Sequence, residues 1–375
     1  MVPSARLRIL LDYRPALRQR TGVGEYVHHL ADALLRAVVR PGDEVMLFSS
    51  SLKDRLPAGV LPEADRRDLR IPVRVLNAAW HRLEWPPVER FGLRPDVAWS
   101  LHPLLMPTRR AARVLTVYDL YFLDHPEDTA REIRRDYAAL AARHVARADA
   151  IITISEYTRQ RTAARFGVPA ERITVCHPGA PAWPRREAPQ APGPILHVGT
   201  IEPRKNVPAL LRAYAELLRR DPGVPDLVFA GRAAMPVDRL LAGLDAAASR
   251  RVRFQGYVSD DERQRLYREA SVLVIPSADE GFGMPAVEAM TVGLPVIAAA
   301  RGALPEVVGD AGLLLDPDDP TALADAMQRV LADEGLRAEL ADRGVARATR
   351  FNWEGSARQL YAAFGEARVR REARG

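Results

Sequence analysis

The sequence predicts an α/β protein built from two doubly wound, Rossmann-like domains. Three observations carry this. Short apolar runs alternate with helix-patterned stretches along the whole chain, the pattern of parallel strands joined by crossover helices. A proline-rich stretch interrupts the alternation near the middle. The chain has 375 residues, 47% of them hydrophobic and 27% charged, enough for two domains with a core each.

In the first half, apolar runs at 7–11, 45–48, 97–99, 114–117, 151–154 and 173–176 read as strands, with helical patterns at 24–39 and 131–147. Segment 181–194 holds five prolines and a glycine without periodicity and reads as a linker. The alternation then restarts. Strands are expected at 195–198, 227–230, 252–254, 272–275, 296–299 and 313–315, with helices at 207–219, 261–270, 285–291, 320–333 and 336–346. The expected organisation is a first domain over 1–184, a linker over 185–194, a second domain over 195–351 and a terminal segment over 352–375. Ligands of such sheets sit beyond the carboxyl ends of the strands, so both domains are expected to offer loops to a shared cleft.

Composition excludes several function classes. No run of eighteen apolar residues is present, so no spanning helix is expected. The N-terminus lacks an apolar stretch followed by a small-residue cleavage site, so no signal peptide is expected. The lone Cys176 excludes an internal disulfide and fits a reducing, cytoplasmic compartment. The formal charge is +6 and the pI about 9.7. The cations are scattered among acids without a basic block, so no nucleic-acid partner is expected. An acidic ligand is compatible with this charge, and so is an anionic membrane surface, which would place the protein at the inner face of the membrane.

The most informative segment is 280–288, Glu-Gly-Phe-Gly-Met-Pro-Ala-Val-Glu. It follows the strand-like run 272–275 and carries Pro285 at the start of a helix-favouring stretch, where a missing N–H costs nothing. Glu280 therefore lies in a loop and Glu288 on the first turns of a helix. Helix-terminal amides bind anions and carboxylates accept hydroxyl hydrogen bonds, which suits a phosphate set between two polyol rings. Spacing alone fits equally a plain turn with Glu280 as a helix-dipole acid and Glu288 on a solvated face.

A second basic loop follows the run 195–198: Gly199-Thr-Ile-Glu-Pro-Arg-Lys-Asn206, with Gly199, Thr200, Arg204 and Lys205 as candidates. Only Lys53 and Lys205 are lysines in a chain that otherwise writes its cations as arginine. A compact ammonium is not replaced by a planar fork without loss, so Lys205 is read as a phosphate partner. In the first half, Thr21-Gly22-Val-Gly24-Glu-Tyr26 opens a helix and admits close backbone approach at Gly22 and Gly24.

These segments resemble the retaining GT-B glycosyltransferases of family 4, also called glycosyltransferase group 1. The Glu-x7-Glu pair with its internal Phe-Gly is similar to that family's donor motif, and GTIEPRKNVPALLRAY to its basic donor loop. The resemblance implies two Rossmann-like doubly wound domains facing across a cleft, with the terminal helix crossing back onto the first. It implies a nucleoside diphosphate sugar as donor, no cofactor and no metal. Arg204, Lys205 and Glu280 would be catalytic, and Tyr118 is a fourth catalytic candidate. Gly22, Gly24, Gly199, Thr200, Tyr257, Val258, Phe282, Gly283, Met284 and Glu288 would bind the donor. The wording is most similar to bacterial mannosyltransferases or rhamnosyltransferases that build surface polysaccharide, with a saccharide or lipid-linked acceptor.

One strand end departs from the family pattern. Tyr118, before Asp119-Leu120, stands where the family carries a histidine. A tyrosine can bond a sugar hydroxyl but is a poor base near neutrality. His102, Asp119 and His125 are the neighbouring acceptor-side candidates. The departure leaves open a nucleotide-sugar epimerase on the same fold, or a donor-binding protein without turnover.

Overall fold

Seven strands form the first sheet: β1 (Arg8–Asp12), β2 (Glu44–Ser50), β3 (Asp65–Leu69), β4 (Val97–Ser100), β5 (Ala112–Val117), β6 (Ala150–Thr153) and β7 (Ile173–Val175). Their order is β3-β2-β1-β4-β5-β6-β7, and every pairing is parallel. The structure is a computed structural model describing residues 6–17, 22–129, 131–187 and 192–374. Thr21 of the glycine-containing segment and 188–191 of the expected linker lie outside the described residues.

Strands β4 (VAWS) and β6 (AIIT) are buried along their whole length, as their mostly apolar residues suit a sheet covered on both faces. β3 is the strand that pattern reading misses. Its sequence, DRRDL, is mostly charged, and it pairs only with β2 at the sheet edge, where no two-sided burial is needed.

The second sheet holds β8 (Ile195–Val198), β9 (Leu227–Ala230), β10 (Val252–Gly256), β11 (Val272–Ile275), β12 (Val296–Ala299) and β13 (Leu313–Leu315). The order is β10-β9-β8-β11-β12-β13, again all parallel. Helices Val207–Arg220 and Pro320–Ala332 cover it with Leu210, Leu217, Met327 and Val330, which share one core with Phe229, Val274 and Ile297. The amphipathic spacing of these helices places that apolar face inward.

Contacts divide the chain into two units, Met1–Gly179 with Asn352–Gly375, and Ala180–Phe351. The division falls before the expected linker at 185–194. The Arg186 amide donates to the Val292 carbonyl at 3.0 Å and Arg185 pairs with Asp342, so these residues are tied to the second unit. The terminal helix, Trp353–Glu372, belongs to the first unit. Its Ser356 hydroxyl donates to the His177 carbonyl at 2.7 Å, its Tyr361 hydroxyl to Asp43 at 2.6 Å, and Phe364 meets Trp99 edge-on.

Both sheets reverse strand order at one place. In the first, β2 and β3 extend to one side of β1 while β4 takes the other; in the second, β9 and β10 extend from β8 while β11 takes the other side. Each reversal opens a crevice between the loops that leave the two central strands, the usual ligand position in such sheets.

Candidate functional site

In the second unit, the crevice lies between the loops after β8 and β11. The first loop contains Gly199, the exposed Thr200 and a tight turn over Pro203–Lys205. The second contains Ser277 through Glu280. The Ala278 amide donates to the Arg204 carbonyl at 2.8 Å, which holds the two loops together. The Lys205 ammonium lies 2.5 Å from Glu280 Oε1, and Arg204 Nη1 lies 3.1 Å from Glu280 Oε2. Ser277 donates to Glu280 Oε1 at 2.8 Å. Arg204 is further braced by Glu202 at 2.8 Å and by the Asp279 carbonyl at 3.2 Å.

Lys205 and Glu280 are both buried, at 8% and 5% exposure. Burial by itself would raise the Glu280 carboxyl, but Lys205, Arg204 and the Ser277 hydroxyl outweigh it and hold it at about 2. The group stays ionised at any physiological pH. The residues expected to serve a sugar and those expected to serve a diphosphate thus form one charged cluster.

Helix Met284–Val292 begins beside this cluster, with Gly283 as its cap at φ 105°. A Cβ at Gly283 would come within 2.8 Å of Leu304, so the glycine also permits close packing. Glu288 points inward rather than to solvent. It accepts from the Tyr267 hydroxyl at 2.7 Å and lies 3.6 Å from Arg263. The Arg263 guanidinium sits over Trp183, whose ring also meets Tyr267. Phe282 is turned into the interior, edge-on to Phe351, so the main chain is what it can offer a ligand. Met284 is half-buried at the helix start. At the end of β10, Tyr257 is exposed under the Arg232 guanidinium and Val258 is half-buried.

Pattern reading missed Ser277, Tyr267, Arg263 and Gly231. Gly231 closes β9, and a Cβ there would fall 1.9 Å from the Gly199 carbonyl oxygen. A glycine directly after an apolar strand was the available sign. Ser277, Tyr267 and Arg263 carry no local pattern that separates them from their neighbours.

In the first unit, the crevice between the ends of β1 and β4 is occupied by Asp12, Arg14 and His102. Asp12 is fully buried and receives Arg14 through two bonds of 2.7 Å. His102 Nδ1 accepts from the Leu104 amide at 3.2 Å, which leaves Nε2 to carry the proton; it lies 3.7 Å from Asp12. Burial pushes His102 down to about 4 and the adjacent His81 down to about 3, so both rings are neutral. The Tyr118 hydroxyl, at the end of β5, is buried with no hydrogen-bond partner among the described residues. Burial, reinforced by the Asp12 charge, raises it well above its ordinary value, so the phenol is protonated at neutral pH.

The other first-half candidates fall outside this group. Asp119 accepts from the Tyr121 amide at 3.1 Å. His125 is exposed, stacked on Tyr121 and 3.2 Å from Glu127. Among the described residues, His125, Glu127 and Asp128 are the one convergent set of metal-ligand types, and all three are exposed. Gly22 and Gly24 lie inside helix Gly22–Ala37, which starts two residues before the expected position; they form its first turn, not a loop ahead of it.

Comparison with known proteins agrees with this fold. Residues 20–183 match the family described as Glycosyltransferase Family 4, and residues 184–347 match Glycosyl transferases group 1. The O-antigen chain mannosyltransferase B of Escherichia coli is 30% identical over 96% of this chain and 99% of its own length. A D-inositol 3-phosphate glycosyltransferase of Salinispora tropica is 31% identical over 76% of this chain and 61% of its own. Two solved structures share the fold. Sucrose-phosphate synthase from Thermosynechococcus elongatus has a TM-score of 0.75 at 22% identity, over 96% of this chain and 100% of that one. HepE from Anabaena, solved with UDP and glucose, has a TM-score of 0.69 at 20% identity, over 95% and 99%. Two parallel Rossmann-like sheets together with these family matches make the protein a GT-B glycosyltransferase. The chain belongs to the group 1 glycosyl transferases of glycosyltransferase family 4.

Proposed function

We propose that the protein transfers a hexosyl group, mannose from GDP-mannose being the first choice, to a saccharide or lipid-linked acceptor in the synthesis of a surface polysaccharide. The observation that carries the donor site is the buried Lys205–Glu280–Arg204 cluster at the β8/β11 switch point. Likeness along nearly the whole length of an O-antigen mannosyltransferase supports the sugar and the pathway class. The reaction takes place in the cytoplasm, at or near the inner membrane face.

In the proposed reaction the anomeric C–O bond breaks and its electron pair goes to the diphosphate oxygen. The acceptor oxygen bonds to the anomeric carbon on the same face, so configuration is retained, and its proton passes to the departing phosphate. Lys205 and Arg204 stabilise the charge growing on that phosphate, a contribution of roughly 3 kcal/mol for each well-placed donor. Glu280 holds sugar hydroxyls and Glu288 the ribose. The leaving phosphate acts as the base, so the neutral phenol of Tyr118 serves by positioning sugar or acceptor. Two cations and helix amides take the place of a metal clamp.

A calorimetric screen of GDP, UDP, ADP and dTDP tests the donor site, with GDP expected to bind tightest. Product analysis by NMR with GDP-mannose and a mannoside acceptor tests the reaction. An α-linked product supports it; an inverted product, or an epimerised sugar formed without acceptor, overturns it.

A further inference from the structure

One buried group beside the charged cluster has no role in the reaction above. His197 lies on β8 and is fully buried. The β8–β11 ladder has its last paired residues at Leu196 and Leu273, and the His197 ring reaches the Val274 carbonyl just beyond, at 2.9 Å from Nδ1. A carbonyl only accepts, so Nδ1 carries the proton and Nε2 carries a lone pair. That Nε2 is buried and without a hydrogen-bond partner among the described residues. Burial pushes the ring down to about 4, with the Val274 carbonyl and Glu280 opposing and Lys205 reinforcing, so the lone pair is present at neutral pH.

The matching deficit is on Lys205. An ammonium has three donors, and among the described residues the one hydrogen bond of Lys205 Nζ goes to Glu280. The two deficient groups meet at Gly199. The Cβ position of that residue, vacant because it is glycine, lies 3.9 Å from His197 Nε2, 3.9 Å from Lys205 Nζ and 3.6 Å from Lys205 Cε. A buried acceptor without a donor and a buried cation with spare donors therefore border the same small space. Each is costly alone, and each offers what the other lacks, within the span of a direct contact or of one bridging water.

We propose that His197 is a positioning residue of the donor site, whose Nε2 accepts from the Lys205 ammonium and keeps it aimed at the diphosphate when Glu280 turns to the sugar. This rests on the donor-site reading above, and it adds a third partner that fixes where the cation stands. The ring does not touch substrate. It acts through Lys205.

Two lysines in the whole chain make the contact directly observable. Protein labelled with 13C at lysine Cε gives two side-chain signals, and Lys53→Arg assigns them. Three variants separate the two ring nitrogens. His197→Asn keeps a polar atom near the Nδ1 position, His197→Gln keeps one near Nε2, and His197→Phe keeps ring volume alone. The Lys205 signal is expected to shift in His197→Phe and His197→Asn and to stay near its original position in His197→Gln. Affinity for inorganic pyrophosphate should fall about five- to tenfold in the first two and about twofold or less in the third, the net effect of one ordinary hydrogen bond acting through Lys205.

The reverse order, with Asn preserving and Gln impairing, would show that the ring serves only the Val274 carbonyl and overturn the proposal. A Lys205 signal unmoved in all three variants would do the same. Failure of the unmodified protein to bind pyrophosphate or any nucleoside diphosphate would instead count against the donor site. The ligand-free Lys205 shift would still decide the His197 contact.

Discussion

Lys205 Nζ lies 2.5 Å from Glu280 Oε1, a contact between residues seventy-five positions apart in the chain. It joins the loops after two adjacent strands, and Arg204 and Ser277 complete the set around the same carboxylate. One carboxylate thereby orders two cations at the strand ends where a diphosphate is proposed to sit.

Breaking the pair should separate stability from activity. Lys205→Met leaves Glu280 buried with one cation fewer, a loss of about 3 kcal/mol. Lys205→Met with Glu280→Gln should recover about 1–2 kcal/mol of that, because the uncompensated charge is gone. Urea unfolding midpoints read both. Turnover should stay about a hundredfold down in single and double variants alike, and Lys205→Arg should not restore it fully. Lys53→Ala should leave turnover near that of the parent. A fully active Lys205→Arg enzyme would sink the leaving-group role.

Glu288 should govern nucleotide affinity. Glu288→Ala removes the proposed ribose acceptor and strands the Tyr267 hydroxyl, so nucleoside diphosphate binding should weaken about tenfold or more. Glu280→Gln should weaken intact donor more than free diphosphate. Calorimetric titration with both ligands checks the division of roles, and equal losses on both would contradict it.

The Tyr118 hydroxyl is buried with no hydrogen-bond partner among the described residues, so its removal should not destabilise the fold. Tyr118→Phe is expected to leave the unfolding midpoint unchanged or slightly raised. Turnover should fall about tenfold or less, the worth of one hydrogen bond to substrate. A loss of several orders of magnitude in kcat at intact stability would make the phenol catalytic and displace the phosphate as base.

Chelation should leave the reaction untouched. Arg204 and Lys205 supply the cationic charge that a metal would bring, so EDTA is expected to change initial rates by about twofold or less. Abolition by EDTA with recovery on adding magnesium or manganese would refute the metal-free reading and direct attention to His125, Glu127 and Asp128.

Stability should fall on mild acidification. Burial holds His81 at about 3 and His102 and His197 at about 4, below the ordinary 6.5. The unfolded chain binds these protons first, so the stabilisation is fully present above pH 6.5 and is lost as pH falls toward 4. Each ring contributes up to about 1.4 kcal/mol per pH unit in that window. Glu280, depressed to about 2 from 4.5, adds its own loss only below pH 4.5. Unfolding midpoints measured from pH 8 to 4 should be level above 7 and decline below 6.5; a level profile down to pH 5 would show these rings to be solvated.

The sequence by itself determined the two parallel sheets, because a strand buried on both faces is mostly written as an apolar run, and 272–275 and 296–299 are unbroken ones. It also marked Arg204, Lys205, Glu280 and Glu288, through glycines, Pro285, the scarcity of lysine and the likeness of both loops to a known family's donor motifs. Edge strand β3 stayed hidden because a strand with one neighbour can be charged. Only the tertiary structure decided that Lys205 pairs with Glu280, that Glu288 meets Tyr267, and that His197 faces the Gly199 space. It also drew Asp12, outside the candidate set, to His102, while His125 stood apart. The physical reason is the same in each case. Local pattern encodes burial and backbone conformation, whereas a charge or a lone pair finds its partner across strands, and sheet order alone brings those strands side by side.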